Sequence, residues 1–179
     1  MKTIKHLLIL LSLVFLTSGC VHKIDKQGLT LAVSEDSLNE SISDSFPINE
    51  DFIFGSVKIE NPKLSIPKNS QRIQAKINMQ LSTFLTPTQK GSFSLSGAPY
   101  FDKKSASIFL KEIKIEELTF ASFKMGKTFS NTFLKTLEPM IEKAFKEYPI
   151  YKIPKDSFQG SFVKDIKIED TKLLVTYGI

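Results

Sequence analysis

In residues 72–85, RIQAKINMQLSTFL, polar and apolar residues alternate strictly from Arg72 to Ser82. Ile73, Ala75, Ile77, Met79, Leu81, Thr83 and Leu85 share one parity, and Arg72, Gln74, Lys76, Asn78, Gln80 and Ser82 share the other. Successive side chains of a strand point to opposite faces, so a period of two held over this length specifies a long strand with one apolar and one wet face. Such strands belong to antiparallel sheets, and the apolar face has to be covered by another layer.

A second period supplies a candidate for that layer. Phe129, Phe133, Leu137, Met140, Ile141, Ala144, Phe145 and Tyr148 recur at spacings of three and four, which traces one apolar stripe on a helix. Pro139 interrupts the stripe. It removes one intrahelical hydrogen bond and crowds the preceding turn, which predicts a kink, or two helices with Pro139 in the first turn of the second.

The remaining segments read as shorter elements. Gly28–Val33 is a strand, and Ser34 caps a short helix that runs to about Asp44 with Leu38 and Ile42 inward, ended by Phe46-Pro47. GSFSLSGAPYF continues the alternation through Phe93 and Leu95, and DKKS at 102–105 turns the chain into ASIFLKEIKIEEL. There Ile108 and Leu110 share a parity that Ile113 and Ile115 do not, so a bulge or a change of buried face is expected near Lys111 and Glu112. Two short strands close the chain near Ile166–Ile168 and Leu173–Tyr177, joined by EDTK.

The start of the chain reads as an address. Lys2 and Lys5 precede Leu7–Leu16, apolar but for Ser12, and no acid occurs before Asp25. This run suits the h-region of a secretory signal and falls short of the roughly 20 residues that span a bilayer. Thr17, Ser18 and Gly19 lead to Cys20, the sole cysteine. Gly-Cys after an h-region resembles the lipobox of bacterial lipoproteins, whose cysteine is acylated and becomes the new first residue. Thr17 departs from the leucine usual three places before the cysteine, and a simple secreted protein with a cysteine near its cut site is the other reading. The expected organisation is a signal peptide at 1–19, a lipidated tether at 20–26 and one domain at 27–179.

Processing also alters the chemistry. Removing Lys2 and Lys5 lowers the formal charge from +5 to +3, and Arg72 is the only arginine. Lysines alternate with acids, as in LKEIKIEEL, unlike the clustered basic and aromatic residues of a nucleic-acid binder. His6 leaves with the signal and His22 lies in the tether, which leaves the expected domain without histidine. Ser-His-Asp and Cys-His sites are excluded, together with nearly every histidine- or cysteine-ligated metal site. Asp102, Glu112, Glu116, Glu117, Asp165, Glu169 and Asp170 sit beside lysines in turns or strands and read as solvated surface. No catalytic residue, metal or cofactor is expected, and the chain is read as a non-enzyme.

Three stretches carry a family resemblance: APYFDKKSASIFLKEIKIEEL, LEPMIEKAFKEYPIYKI and IKIEDTKLLVTYG. With the Gly-Cys at 19–20, they resemble the YceB-like bacterial lipoproteins, a family defined by a domain of unknown function. The resemblance implies an α+β fold in which a curled antiparallel sheet wraps a long, Pro-interrupted helix, similar to half of a bactericidal/permeability-increasing protein, the tubular lipid-binding architecture. It brings no catalytic residues.

Two functions remain open. One is a binding module, anchored to the membrane through lipidated Cys20, that holds a lipid or other elongated apolar ligand between helix and sheet. Its lining would be Ile77, Met79, Phe93, Leu95 and Ile108 on the sheet and Phe133, Leu137, Met140 and Ile141 on the helix. The other is a structural lipoprotein with a filled core that acts on another envelope protein. Val21, rather than aspartate, follows Cys20, so the expected location is the outer membrane, facing the periplasm.

Overall fold

The computed structural model describes residues 21–26, 28–53, 55–84, 87–120, 127–153 and 162–178, without the side chains of 127–134 and 136. Its strands form two antiparallel sheets. The smaller contains β1 (Val21–Asp25), β2 (Gly28–Val33), β9 (Val163–Glu169) and β10 (Lys172–Tyr177), in the order β1-β2-β10-β9. The larger runs β3 (Ile48–Phe52), β4 (Gly55–Ser65), β5 (Ile73–Thr83), β6 (Gln89–Asp102), β7 (Ser107–Phe120) and β8 (Tyr151–Lys152), in chain order. Two helices accompany them among the described residues, α1 (Glu35–Ser43) and α2 (Lys127–Glu147).

This corrects the expected architecture. The α+β half roll, one curled sheet wrapped around a long helix, is not what forms: the fold is predominantly β, with strands divided between two sheets. The chain ends account for the division. β2 pairs with β10 over Leu29–Val33 and Leu173–Tyr177, and β10 with β9, so the first and last segments build a sheet of their own. Their side of the pairing includes a buried hydroxyl pair, Thr30 and Thr176, 3.0 Å apart.

The segment expected as a tether is also part of this sheet. Val21–Asp25 pairs with β2 as an edge strand, every residue exposed. Polar composition hid it, because an edge strand with no buried face shows no apolar alternation.

Local expectations fare better. The Ser34 hydroxyl accepts from the Ser37 amide at 3.2 Å, capping α1, and Leu38 and Ile42 are fully buried beneath it. In β5 Ile73, Ala75, Ile77, Met79 and Leu81 are buried, while Lys76 and Asn78 are exposed. Asp102 closes its turn through the Ser105 amide and hydroxyl, at 2.9 and 2.6 Å. Asp170 and Thr171 turn β9 into β10 at positive φ, as a two-residue hairpin requires. Pro139 lies inside one helix rather than between two. It stands with Lys135 on the exposed side, where the carbonyl deprived of its partner is open to water.

β4 was hidden by a bulge. Val57 and Ile59 point inward, the register shifts between Glu60 and Lys63 around Asn61 at φ 52°, and Pro62 and Leu64 then continue inward on the other parity. Beyond the stretch covered by β3, α1 serves as the neighbour of β4. Asn39 accepts from the Leu64 amide at 2.7 Å and donates to its carbonyl at 3.0 Å, and Glu35 accepts from the Ile66 amide at 2.7 Å. These bonds satisfy backbone groups that a bare sheet edge would leave open.

Candidate functional site

The core face of the larger sheet carries the residues expected to line a ligand. Directly opposed residues of an antiparallel pair share a face. Ile77 faces Phe93, Ala75 faces Leu95, Phe93 faces Leu118 and Leu95 faces Ile115. The structure therefore brings Ile77, Met79, Phe93 and Leu95 together, all buried, with Ile108 buried near the start of β7.

Helix α2 covers this face. Leu137 and Ile141 are buried together with Ala144 and Phe145, whereas Met140 is half-buried. Lys143 reaches Glu50 of β3 at 3.6 Å, and the chain leaving the helix ties back to β7 through the Ile150 amide and the Ile108 carbonyl, 2.8 Å apart. Phe133 belongs to the helix, but its side chain lies outside the described residues, as does Cys20. The sheet and helix residues that are described join one continuous core, which also takes in Leu38 from α1 and Val33, Leu173 and Val175 from the smaller sheet.

Cover along this face is uneven. Ile108 and Leu110 of β7 are sealed, Ile113 is 8% exposed, and Ile115, Leu118 and Phe120 are only partly buried. β3 behaves alike, from buried Ile48 to half-buried Phe52, and Leu81 of β5 is more exposed than Ile73. All three strands lose cover toward the same end of the sheet, where β3 turns into β4 and β5 leads to β6. A cleft of about 310 Å³ lies at that end, lined by Asp51, Phe52, Gly55, Ser56, Ser82, Thr83 and Phe84. Two other clefts, of about 390 and 600 Å³, lie at the opposite end among Lys68–Gln71, Ile168–Lys172 and Ala32–Ser37. None of these three clefts is lined by the expected ligand residues.

A polar node braces the opposite, wet face of the sheet, and sequence reading missed it. The Arg72 guanidinium donates to the Ser96 hydroxyl at 3.0 Å, the Ser96 carbonyl at 2.9 Å and the Glu112 carbonyl at 2.5 Å. Glu112 sits at φ 54°, at the irregularity expected near Lys111 and Glu112. One side chain thereby ties the start of β5 to β6 and to the bulge of β7. The only available signal was that Arg72 is the sole arginine.

Among the described residues, the carboxylates that are shifted are all shifted down. Asp102 is held below its ordinary value by the Ser105 hydroxyl and amide. Glu60 is lowered by Lys58 and Gln80, and Glu169 by Lys167. Each shift favours the charged form, opposite to what a general acid needs. Burial, aided by Tyr151, pushes the Tyr177 phenol up to about 12. Among the described residues no group of three or more histidine, cysteine or carboxylate side chains could hold a metal.

Comparison with known proteins agrees with the resemblance read from the sequence. The chain is 26% identical over 116 residues to the uncharacterized lipoprotein YceB of Escherichia coli (strain K12), and equally to the YceB of Shigella flexneri. Each match spans 61% of this chain and 61% of the relative. Residues 33–172, from the last residue of β2 to the first of β10, match the family described as "Protein of unknown function (DUF1439)", and the chain belongs to that family.

Proposed function

We propose that this protein is a lipid-anchored envelope lipoprotein, processed and acylated at Cys20, whose domain binds an elongated apolar ligand such as an acyl chain against the α2-covered face of the larger sheet. It acts by binding rather than catalysis, and it sits at the outer membrane facing the periplasm. The leader, the Gly-Cys at 19–20 and the names of its relatives support the lipoprotein part of this reading.

The observation that carries the ligand is the graded cover of the apolar face. Ile115, Leu118 and Phe120 are core-face residues with incomplete cover, aligned beyond a sealed inner half. Partly covered apolar side chains in a row are the lining an acyl chain would complete. Half-buried Met140 adds an adaptable, polarisable contact on the helix.

A second reading rests on a different observation. Ile77, Leu95, Leu137 and Ile141 are sealed within one core, which favours a filled interior and a function exerted on another envelope protein. Native mass spectrometry of the exported Cys20→Ser protein separates the two, with a delipidated sample as control. A co-purifying acyl species supports the ligand, and its absence together with failure to take up a fluorescent fatty acid leaves the filled core.

A further inference from the structure

Strand β1, at the edge of the smaller sheet, is held differently from the other described strands. All five of its residues are exposed, and because successive side chains point to opposite faces, it covers nothing on either side. Val21 and Ile24, its apolar residues, are 58% and 73% exposed. Among the described strands its only neighbour is β2, and that pairing slips between Val21 and Lys23, at His22. The ion pair between Lys23 and Asp25, at 2.9 Å, lies within β1 and does not cross to β2. Glu169 of β9 is held down chiefly by Lys167, with weaker attraction from His22 and Lys23. Attractions between exposed charges of this kind are screened by salt.

Strand β2 has a second and deeper attachment. It pairs with β10 over Leu29–Val33, its Thr30 hydroxyl lies 3.0 Å from that of Thr176, and Val33 enters the core. Departure of β1 therefore bares one edge of β2 and leaves β2, β10 and β9 joined. Segments with few buried apolar contacts and solvent-exposed backbone hydrogen bonds open locally, at a small fraction of the cost of unfolding the domain.

This weakly held strand is also the link to the anchor, since Val21 directly follows Cys20. While β1 stays paired, no slack separates the sheet from Cys20. Five residues pulled straight span at most about 18 Å at ~3.3–3.6 Å each.

We propose that β1 is a releasable strap. Paired with β2 it holds the domain against the bilayer that carries Cys20, and peeled away it becomes a tether that lets the domain stand up to about 18 Å further off. The opening of β1 is a property of the sheet, whereas its effect on reach rests on the reading of Cys20 as the lipid anchor.

Limited proteolysis of the lipidated protein in nanodiscs tests the strap, because a protease cuts a strand mainly when it is open. Lys26→Gln removes the trypsin site in the turn and leaves Lys23 as the site within β1. The expected result is cleavage after Lys23 that frees a domain beginning at Ile24, identified by its mass and retaining the thermal midpoint of the uncut protein. Adding Ile24→Cys and Leu29→Cys, which are directly opposed, allows β1 to be locked to β2 by a disulfide. Oxidation should slow the cut at least about tenfold, and reduction should restore it. Cleavage after Lys23 only with loss of the folded domain would overturn the proposal, as would equal cutting of the oxidised and reduced forms. The mass of the product decides the strap whether or not the protein was in the membrane, and sedimentation of the uncut protein decides the anchor, so failure of one is not mistaken for failure of the other.

Discussion

The Arg72 guanidinium donates to the carbonyl of Glu112, 40 residues away in sequence and two strands away in the sheet, and holds β7 at its bulge. The same group binds the hydroxyl and carbonyl of Ser96 on the intervening strand. Arg72→Met should therefore cost about 1.5–3 kcal/mol in urea unfolding, the range for hydrogen bonds to a charged group. Arg72→Lys should recover only part of it, because one ammonium cannot reproduce the planar fork. A loss below about 0.5 kcal/mol for the methionine variant would show that the bulge stands without its arginine.

Gly28 is a second position where backbone geometry restricts the side chain. Its φ is 131°, and a Cβ built there would meet the Tyr177 carbonyl oxygen at 1.8 Å. Gly28→Ala should destabilise the protein by at least about 2 kcal/mol, combining a strained backbone with overpacking against β10. Chemical denaturation measures it, and a near-neutral result would mean that β1 and β2 shift away from β10 without loss.

Tyr177 should set part of the alkaline limit. Its folded value is raised to about 12 from an ordinary 10, chiefly by burial. The neutral phenol is the form that folding favours, so its contribution is complete below pH 10 and is lost as pH rises through about 12. Tyr177→Phe cannot ionise there. The wild type should lose stability relative to this variant between pH 10 and 12, read as a growing gap in thermal midpoints, and parallel curves would refute the assignment.

On the helix, Leu137 and Met140 should respond differently to enlargement. Leu137→Trp overpacks a sealed position and should cost about 1–3 kcal/mol. Met140 is half-buried, so Met140→Trp should cost less than about 1 kcal/mol while displacing co-purified acyl species. Retention of bound lipid in the Met140 variant would remove the helix from the proposed binding face.

Cys20 should decide attachment. With a cleavable leader in place of residues 1–19, Cys20→Ser should move the protein from the membrane to the soluble periplasmic fraction, because acyl chains contribute ~0.8 kcal/mol per buried methylene. Membrane retention of that variant would count against lipidation.

Much of the local structure was legible in the residues themselves. The Ser34 cap, the buried parity of β5, the DKKS turn, the irregularity near Glu112 and the closing hairpin all depend on neighbours in sequence. Steric and hydrogen-bonding preferences act over a few residues, so a pattern of two or of three and four reports them. Of the residues read as a candidate lining, Ile77 and Phe93 share a strand face and Leu137 and Ile141 are buried on the helix in the same core, because each belongs to a strongly periodic segment.

The assembly was decided only in three dimensions. Alternation states that a strand has an apolar face but not which strand lies beside it, so the pairing of β2 with β10, 146 residues apart at Thr30 and Thr176, left no mark on either segment. That pairing divides the strands into two sheets and overturns the single wrapped sheet. Exposed β1 and bulged β4 escaped for related reasons: one buries nothing, and the other changes parity at Asn61. The sequence determined which faces must be buried, and burial against partners distant in the chain, a property of the whole fold rather than of any window, determined how those faces met.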